Sequence, residues 1–185
     1  MIGVLVSGEG SNLQALLDAG LPVAAVASNR PAVPALARAD AAGVPTRVFE
    51  LESFATREER DEAMALWLCE EGAEIAVLAG YMHLLTKPFL EIFPERVLNV
   101  HPSLLPEYPG AHAVEDALAA GESSTGATVH FVDEGIDSGS VIGQVRVTVR
   151  PNEDAESLHR RIQEVEHWLL PRCVNLYLEG GVLPE

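Results

Sequence analysis

Apolar residues in this chain fall into short runs that alternate with longer stretches of helical spacing. Runs at 2–6, 23–27, 46–49, 75–78, 97–100, 128–132 and 141–149 are rich in Val, Ile and Leu and read as strands. Between the first five lie helical patterns at 12–19, 33–42, 55–71 and 88–92. Parallel neighbours need a crossover, which a helix supplies, so this alternation predicts an α/β fold. The expected architecture is a Rossmann-like, mostly parallel twisted sheet of about seven strands with helices on both faces. Residues 133–140 are too few for a helical crossover, so the last two strands should pair antiparallel at the C-terminal side. Leu158, Ile162, Val165 and Leu169 then mark a helix behind Asp154, a suitable N-cap. Pro171 should kink or end that helix, and Gly180-Gly181 should close it.

Composition narrows the classes of function. The 185 residues are 48% hydrophobic and 22% charged, enough to bury a core in one domain. No apolar run is long enough to cross a membrane, and Met1 leads straight into the first strand without a basic leader. A cytoplasmic protein without a membrane partner is therefore expected. Cys69 and Cys173 lack metal-ligand spacing and read as two buried thiols in a reducing compartment. The formal net charge of −16 repels polyanions and argues against nucleic acid as a partner. A small phosphorylated ligand stays compatible, because backbone N–H groups hold phosphate without a basic surface.

Three stretches carry candidate chemistry. Ser7-Gly8-Glu9-Gly10-Ser11-Asn12 joins the first strand to the first helix, where glycines allow a tight turn and helix-start amides attract anions. The alternative there is a plain glycine turn with Ser11 or Asn12 as the N-cap. Asn99-Val100-His101-Pro102 ends the fifth strand, so the amide and the imidazole leave on one face. A carboxamide donor beside a titratable ring suits a reaction that builds negative charge on a carbonyl oxygen; a polar strand end is the bland alternative. Asp137 sits between Gly135 and Gly139, either as an inward carboxylate or as an ordinary turn residue. Beside His101 it would favour the cationic ring. Ser103 lacks a nucleophile elbow, and no histidine or cysteine spacing matches a metal motif, so no metal is expected.

The runs GEGSN, NVHPSLLPEYPGAH and GATVHFVDEGIDSG, in that order, resemble the phosphoribosylglycinamide formyltransferase family over 2 to about 181. The resemblance implies one formyltransferase domain over 1–185 that takes 10-formyltetrahydrofolate as co-substrate and phosphoribosylglycinamide (glycinamide ribonucleotide) as acceptor. It implies Asn99, His101 and Asp137 as catalytic, with a tetrahedral oxyanion stabilised by Asn99 and His101 and assisted by Asp137. Gly10, Ser11, Asn12 and Glu166 are implied on the ribotide. Arg57, Met82, His83, Leu84, Leu85 and Asn99 are implied on the folate, and His112 and His130 in support. His83 stands where the family commonly has arginine, and Ser140 where it commonly has proline. On the residues alone, Arg57 and Glu166 are solvated helix charges, Met82 and Leu84 core, and His130 a satisfied strand histidine. Other readings are a formyltetrahydrofolate hydrolase, with water as acceptor, a sugar-nucleotide formyltransferase, or a folate- or nucleotide-binding module without turnover. A methionyl-tRNA formyltransferase fits poorly with the acidity. The expected assembly is a monomer or a homodimer.

Overall fold

The computed structural model describes residues 1–180, so Gly181 lies outside the described residues. The chain forms two compact units, one of Met1–Leu98 and one beginning at Asn99. Seven strands follow the order β3-β2-β1-β4-β5-β6-β7 in a mixed sheet, flanked by helices.

In the first unit the chain runs β1 (Ile2–Val6), α1 (Ser11–Asp18), β2 (Val23–Ser28), α2 (Pro34–Ala41), β3 (Thr46–Val48), α3 (Arg57–Glu70), β4 (Ile75–Leu78) and α4 (Lys87–Ile92). β1 pairs parallel with β2 on one side and β4 on the other, and β2 pairs parallel with β3. β1 is therefore interior, and Ile2, Val4, Leu5 and Val6 are wholly buried. Each such side chain contributes roughly 1.5–3 kcal/mol by leaving water. Its continuous apolar run, without polar alternation, is what a strand covered on both faces requires. The chain goes one way from β1 to β2 and β3, then returns to β4 on the other side of β1. That reversal makes the carboxyl ends of β1 and β4 the switch point of the strand order, the usual ligand position in open α/β sheets.

β5 (Val97–His101) carries the chain into the second unit, which adds α5 (Ala113–Ala119), β6 (Ser124–Phe131), β7 (Val141–Thr148) and α6 (Ala155–Leu178). β6 and β7 pair antiparallel, as their short connection requires, with a register shift between Val129 and His130. β6 begins four residues before its expected start: Ser124, Thr125 and Gly126 pair with Thr148, Val147 and Arg146, which an apolar count does not register.

Three local expectations are corrected. Helix α5 has no counterpart in the sequence reading, because seven residues with Ala113, Val114 and Ala117 inward give barely two turns of pattern. α6 runs through Pro171 to Leu178. Leu169, Leu170, Cys173 and Val174 are buried on both sides of the proline, which outweighs the roughly 3 kcal/mol a mid-helix proline costs. Arg172 Nη1 meanwhile donates to the Trp168 carbonyl at 3.0 Å. Cys69 is exposed, on the outer face of α3 with Leu66, whereas Cys173 is buried as expected.

Candidate active site

In the first unit, the loop after β1 closes on Gly10, the N-cap of α1, in a left-handed conformation (φ 74°). No cap side chain bonds the helix start, so neither Ser11 nor Asn12 serves as the N-cap. Asn12 is buried, Ser11 half-buried and Glu9 exposed. A side chain at Gly10 would drive its Cβ to 2.6 Å from the Ala35 Cβ, so glycine is needed here for both φ and space.

The segment after β4 is tied to the same end of β1. Met82 N–H donates to Ser7 Oγ at 2.9 Å, and Ser7 Oγ–H donates to Asn29 Oδ1 at 2.7 Å. Met82 and Leu84 are not core: they are 69% and 56% exposed, while Leu85 is half-buried. Arg57 leads α3, whose N-cap Thr56 accepts from Glu59 N–H. Its Nη2 donates to the Leu84 carbonyl at 2.7 Å, so the structure brings Arg57 to the 82–85 segment. Burial, then the Arg60 and Arg57 guanidinium groups, hold the His83 imidazole below its usual pKa.

Beneath that segment lies a pair the sequence reading missed. Arg60 and Asp61 are fully buried, joined at 2.6 Å and 2.9 Å through Arg60 Nη2 and Nε. Arg60 Nη1 lies 2.9 Å from His83 Nδ1, and Asp61 Oδ2 accepts from Thr86 N–H at 2.8 Å. The signal was available: Arg60 precedes Met64 by four residues and Leu68 by eight, on the buried stripe of α3.

In the second unit, β5 ends on Asn99 and His101, and β6 delivers His130. His101 Nδ1 lies 3.3 Å from Asp137 Oδ2, and its Nε2–H donates to the Tyr108 carbonyl at 2.8 Å. Asn99 Nδ2 lies 3.4 Å from Asp137 Oδ1 and 3.2 Å from His130 Nε2. His130 Nε2 is itself 3.5 Å from Asp137 Oδ1, while its Nδ1–H donates to the Phe131 carbonyl at 2.7 Å. His130 thus belongs to the same cluster.

The loop that carries Asp137 is held in an unusual course. Asp137 takes a left-handed φ of 50°, uncommon for a residue with a side chain. A Cβ on Gly139 would collide with the Phe131 carbonyl, and one on Gly135 with Ser138 Oγ. Gly110 N–H donates to Asp137 Oδ2 at 2.8 Å, a contact the sequence did not suggest. Burial works to raise the Asp137 pKa, but His130, the Gly110 N–H and the field of His101 outweigh it, leaving about 2. The carboxylate is therefore ionised at neutral pH.

The surrounding loop is fixed from β6 and β7. Thr128 Oγ1–H donates to the Ser103 carbonyl and accepts from Leu105 N–H, and Gln144 Nε2 donates to the Leu105 carbonyl. Ser103 is buried with its hydroxyl donating to the Glu107 carbonyl. His112 is exposed at the head of α5, and no contact joins it to the cluster among those described. Glu166 is buried on α6, because the inward stripe runs Leu158, Ile162, Glu166 and Leu169, with Val165 only half-buried. A buried carboxylate is far less common than an exposed one, which removes the solvated-charge reading. Among the described residues no group of three or more His, Cys, Asp or Glu is arranged to hold a metal ion.

The formyl transferase family model matches residues 1–174. The chain is 38% identical over 185 residues to phosphoribosylglycinamide formyltransferase of Haemophilus influenzae, covering 97% of this chain and 87% of that protein. It is 44% identical over 190 residues to trifunctional purine biosynthetic protein adenosine-3 of Drosophila melanogaster, covering 98% of this chain but only 14% of that much longer protein. Glycinamide ribonucleotide transformylase 1 from Symbiobacterium toebii superposes with a TM-score of 0.97 at 42% identity, over 100% of this chain and 90% of that one. By the family match over residues 1–174 and the 38% identity to a relative covered over 87% of its length, this chain belongs to the formyl transferase family, among the phosphoribosylglycinamide formyltransferases.

Proposed function

We propose that this chain transfers the formyl group of 10-formyltetrahydrofolate to the amine of phosphoribosylglycinamide, a step of de novo purine biosynthesis. The observation that carries the residue assignment is the 3.3 Å approach of His101 Nδ1 to Asp137 Oδ2, with Asn99 on the same carboxylate. Bound 10-formyltetrahydrofolate supplies an electrophilic formyl carbon, which the amine attacks directly; the bond from that carbon to N10 then breaks, and the proton lost by the attacking nitrogen is delivered to the departing N10, so no enzyme nucleophile is needed.

The protein's part is electrostatic. Asn99 Nδ2 donates toward the formyl oxygen as charge gathers there. His101 gives its Nε2–H, here on the Tyr108 carbonyl, to the same developing charge. Asp137, ionised and accepting from Gly110, fixes the ring through Nδ1 and favours its cationic form, so that the ring can both hold and pass on a proton. His130 braces Asn99 and Asp137 together.

The residues present suit the co-substrate. Exposed Met82 and Leu84 offer apolar surface to a flat ring, Leu85 backs them, and Arg57 and His83 flank the segment. Gly10, Ser11 and Asn12 present helix-start amides to the ribotide phosphate, and Glu166 serves its ribose hydroxyls. The family match spanning 1–174 supports reading the two units as one formyltransferase domain. Free Cys69 and Cys173, and the lack of any helix long and apolar enough to cross a membrane among the described residues, support a cytoplasmic enzyme. We assign it as a monomer or homodimer acting on small molecules rather than nucleic acid, in keeping with its charge of −16.

The test is an absorbance assay with a 10-formyl-folate analogue, run with and without glycinamide ribotide. Turnover that requires the ribotide is expected. Turnover with water alone would make the protein a hydrolase, and binding without turnover a non-catalytic module.

A further inference from the structure

We propose that Arg38, on α2, is a positioning residue that aims the amides of the 8–12 loop at the phosphate of the acceptor substrate. The inference rests on the assignment of that loop to the ribotide phosphate and adds what shapes it.

Two consecutive carbonyls of the loop are captured by α2. Ala35 N–H donates to the Gly8 carbonyl at 3.1 Å, and Arg38 Nε–H donates to the Glu9 carbonyl at 2.9 Å. Arg38 Nη1 also donates to Gln14 Oε1 at 3.3 Å, which ties the guanidinium to the first turn and a half of α1. The Gly10 backbone lies directly against Ala35, too close for a Cβ, and that hypothetical atom would also meet Arg38 Cδ at 3.4 Å.

The consequence follows from peptide geometry. In a planar trans peptide, the C=O of one residue and the N–H of the next point in opposite directions. The cis bond among the described residues is Leu105–Pro106, far from this loop in the chain. Holding the Gly8 and Glu9 carbonyls toward α2 therefore turns the Glu9 and Gly10 N–H groups away from α2. They join the helix-start amides of α1, which have no intrahelical acceptors. Without Arg38, the Glu9–Gly10 peptide loses its tether and can flip, presenting a carbonyl oxygen where an anion is to be bound.

Arg38 is half-buried and already engaged on two acceptors, so its work here is directional. Substitutions separate direction from charge. In Arg38→Gln the amide nitrogen sits the same number of bonds from Cα as Nε, keeping a donor for the Glu9 carbonyl without charge. Arg38→Lys keeps the charge but places carbon at that position. Arg38→Met keeps neither.

The experiment is steady-state kinetics on the four proteins with glycinamide ribotide and with its phosphate-free riboside. Arg38→Met should raise the ribotide KM about tenfold, as loss of one directional hydrogen bond implies, with kcat and the folate KM within about twofold of wild type. The riboside KM should not move, and Arg38→Gln should recover more of the ribotide KM than Arg38→Lys. The proposal fails if Arg38→Met leaves the ribotide KM unchanged, if ribotide and riboside suffer equally, or if Lys restores binding and Gln does not. Wild-type enzyme that takes ribotide and riboside with equal KM would instead overturn the loop's assignment to phosphate, and with it this proposal.

Discussion

Each unit contains a histidine beside a carboxylate, and the two clusters are built for opposite ends. In the first, Arg60 and Asp61 are wholly buried, and their contacts to each other, to His83 and to Thr86 N–H lie between 2.6 and 2.9 Å. That cluster is saturated with short bonds at Asp61, while His83 Nε2 lies 3.3 Å from Asn29 Nδ2, and it terminates on the backbone and ring of the segment it supports. In the second, the side chains of His101, Asn99 and His130 lie 3.3, 3.4 and 3.5 Å from Asp137, which also accepts from Gly110 N–H at 2.8 Å and keeps 15% exposure. Long side-chain contacts on a carboxylate held at positive φ suit the exchange of partners that the proposed chemistry needs. The comparison teaches that a buried carboxylate held by a guanidinium at short range is fixed in place, whereas one met by longer side-chain contacts keeps room to change partners.

The comparison can be broken first at the saturated cluster. Arg60→Met leaves the Asp61 carboxylate buried without its cation, which should cost about 3–5 kcal/mol, read as a drop in the urea midpoint of unfolding. A near-neutral result would mean that Asp61 is reached by water and that the pair holds nothing in place. His101→Ala and Asn99→Ala should behave differently. Each should lower kcat by about 10²–10³ while circular dichroism still reports the native fold. Wild-type turnover by purified His101→Ala, with both substrates saturating, would remove the cluster from the chemistry.

A smaller effect separates the clusters by pH. Asp137 falls from its ordinary 3.8 to about 2, so the folded protein holds it ionised more strongly than the unfolded chain does. Its contribution, of about 2 kcal/mol, is present above the unfolded value and is lost as pH falls through the folded one. The stability difference between wild type and Asp137→Asn should therefore shrink as urea midpoints are followed from about pH 5 down to about pH 2. A difference that stays constant over that window would show that the carboxylate's charge does not contribute.

The fold was largely legible because β1 and β4 are unbroken apolar runs, and the short 133–140 link admits only an antiparallel return. What escaped was whatever lacks an apolar signature: α5 is too short to show a period, and the start of β6 is polar. In the site, Asn99 and His101 were visible from spacing, since alternation alone puts them on one face. Asp137 was visible as an acid between glycines, but its neighbours were not. Gly110 and Tyr108 act through main-chain N–H and C=O groups, which are the same in every sequence. The Arg60–Asp61 pair was concealed by the rule that charges stay outside, though its spacing to Met64 and Leu68 already placed it inward.

The finest discrimination concerns His83, the one titratable ring in the saturated cluster. Arg60 Nη1 can donate to His83 Nδ1 only while that nitrogen carries no proton. Burial, with the fields of Arg60, Arg57 and Arg30 opposed only by Asp61, keeps the ring neutral. The unfolded chain accepts a proton near 6.5, whereas the folded chain does so only at lower pH. The stabilisation is thus complete above the unfolded value and is lost as pH falls below it toward the folded one. Protonation would break the bond to Arg60 and loosen the 81–86 segment, so wild-type affinity for a folate analogue should hold above about pH 6.5 and weaken as pH falls below it, by no more than about tenfold. His83→Gln, which keeps an acceptor for Arg60 but does not titrate, should flatten that dependence without touching the Asp137 transition at low pH. If the variant and wild type lose affinity in parallel, the titrating group lies elsewhere, and His83 fills space beside Arg60 without sensing protons.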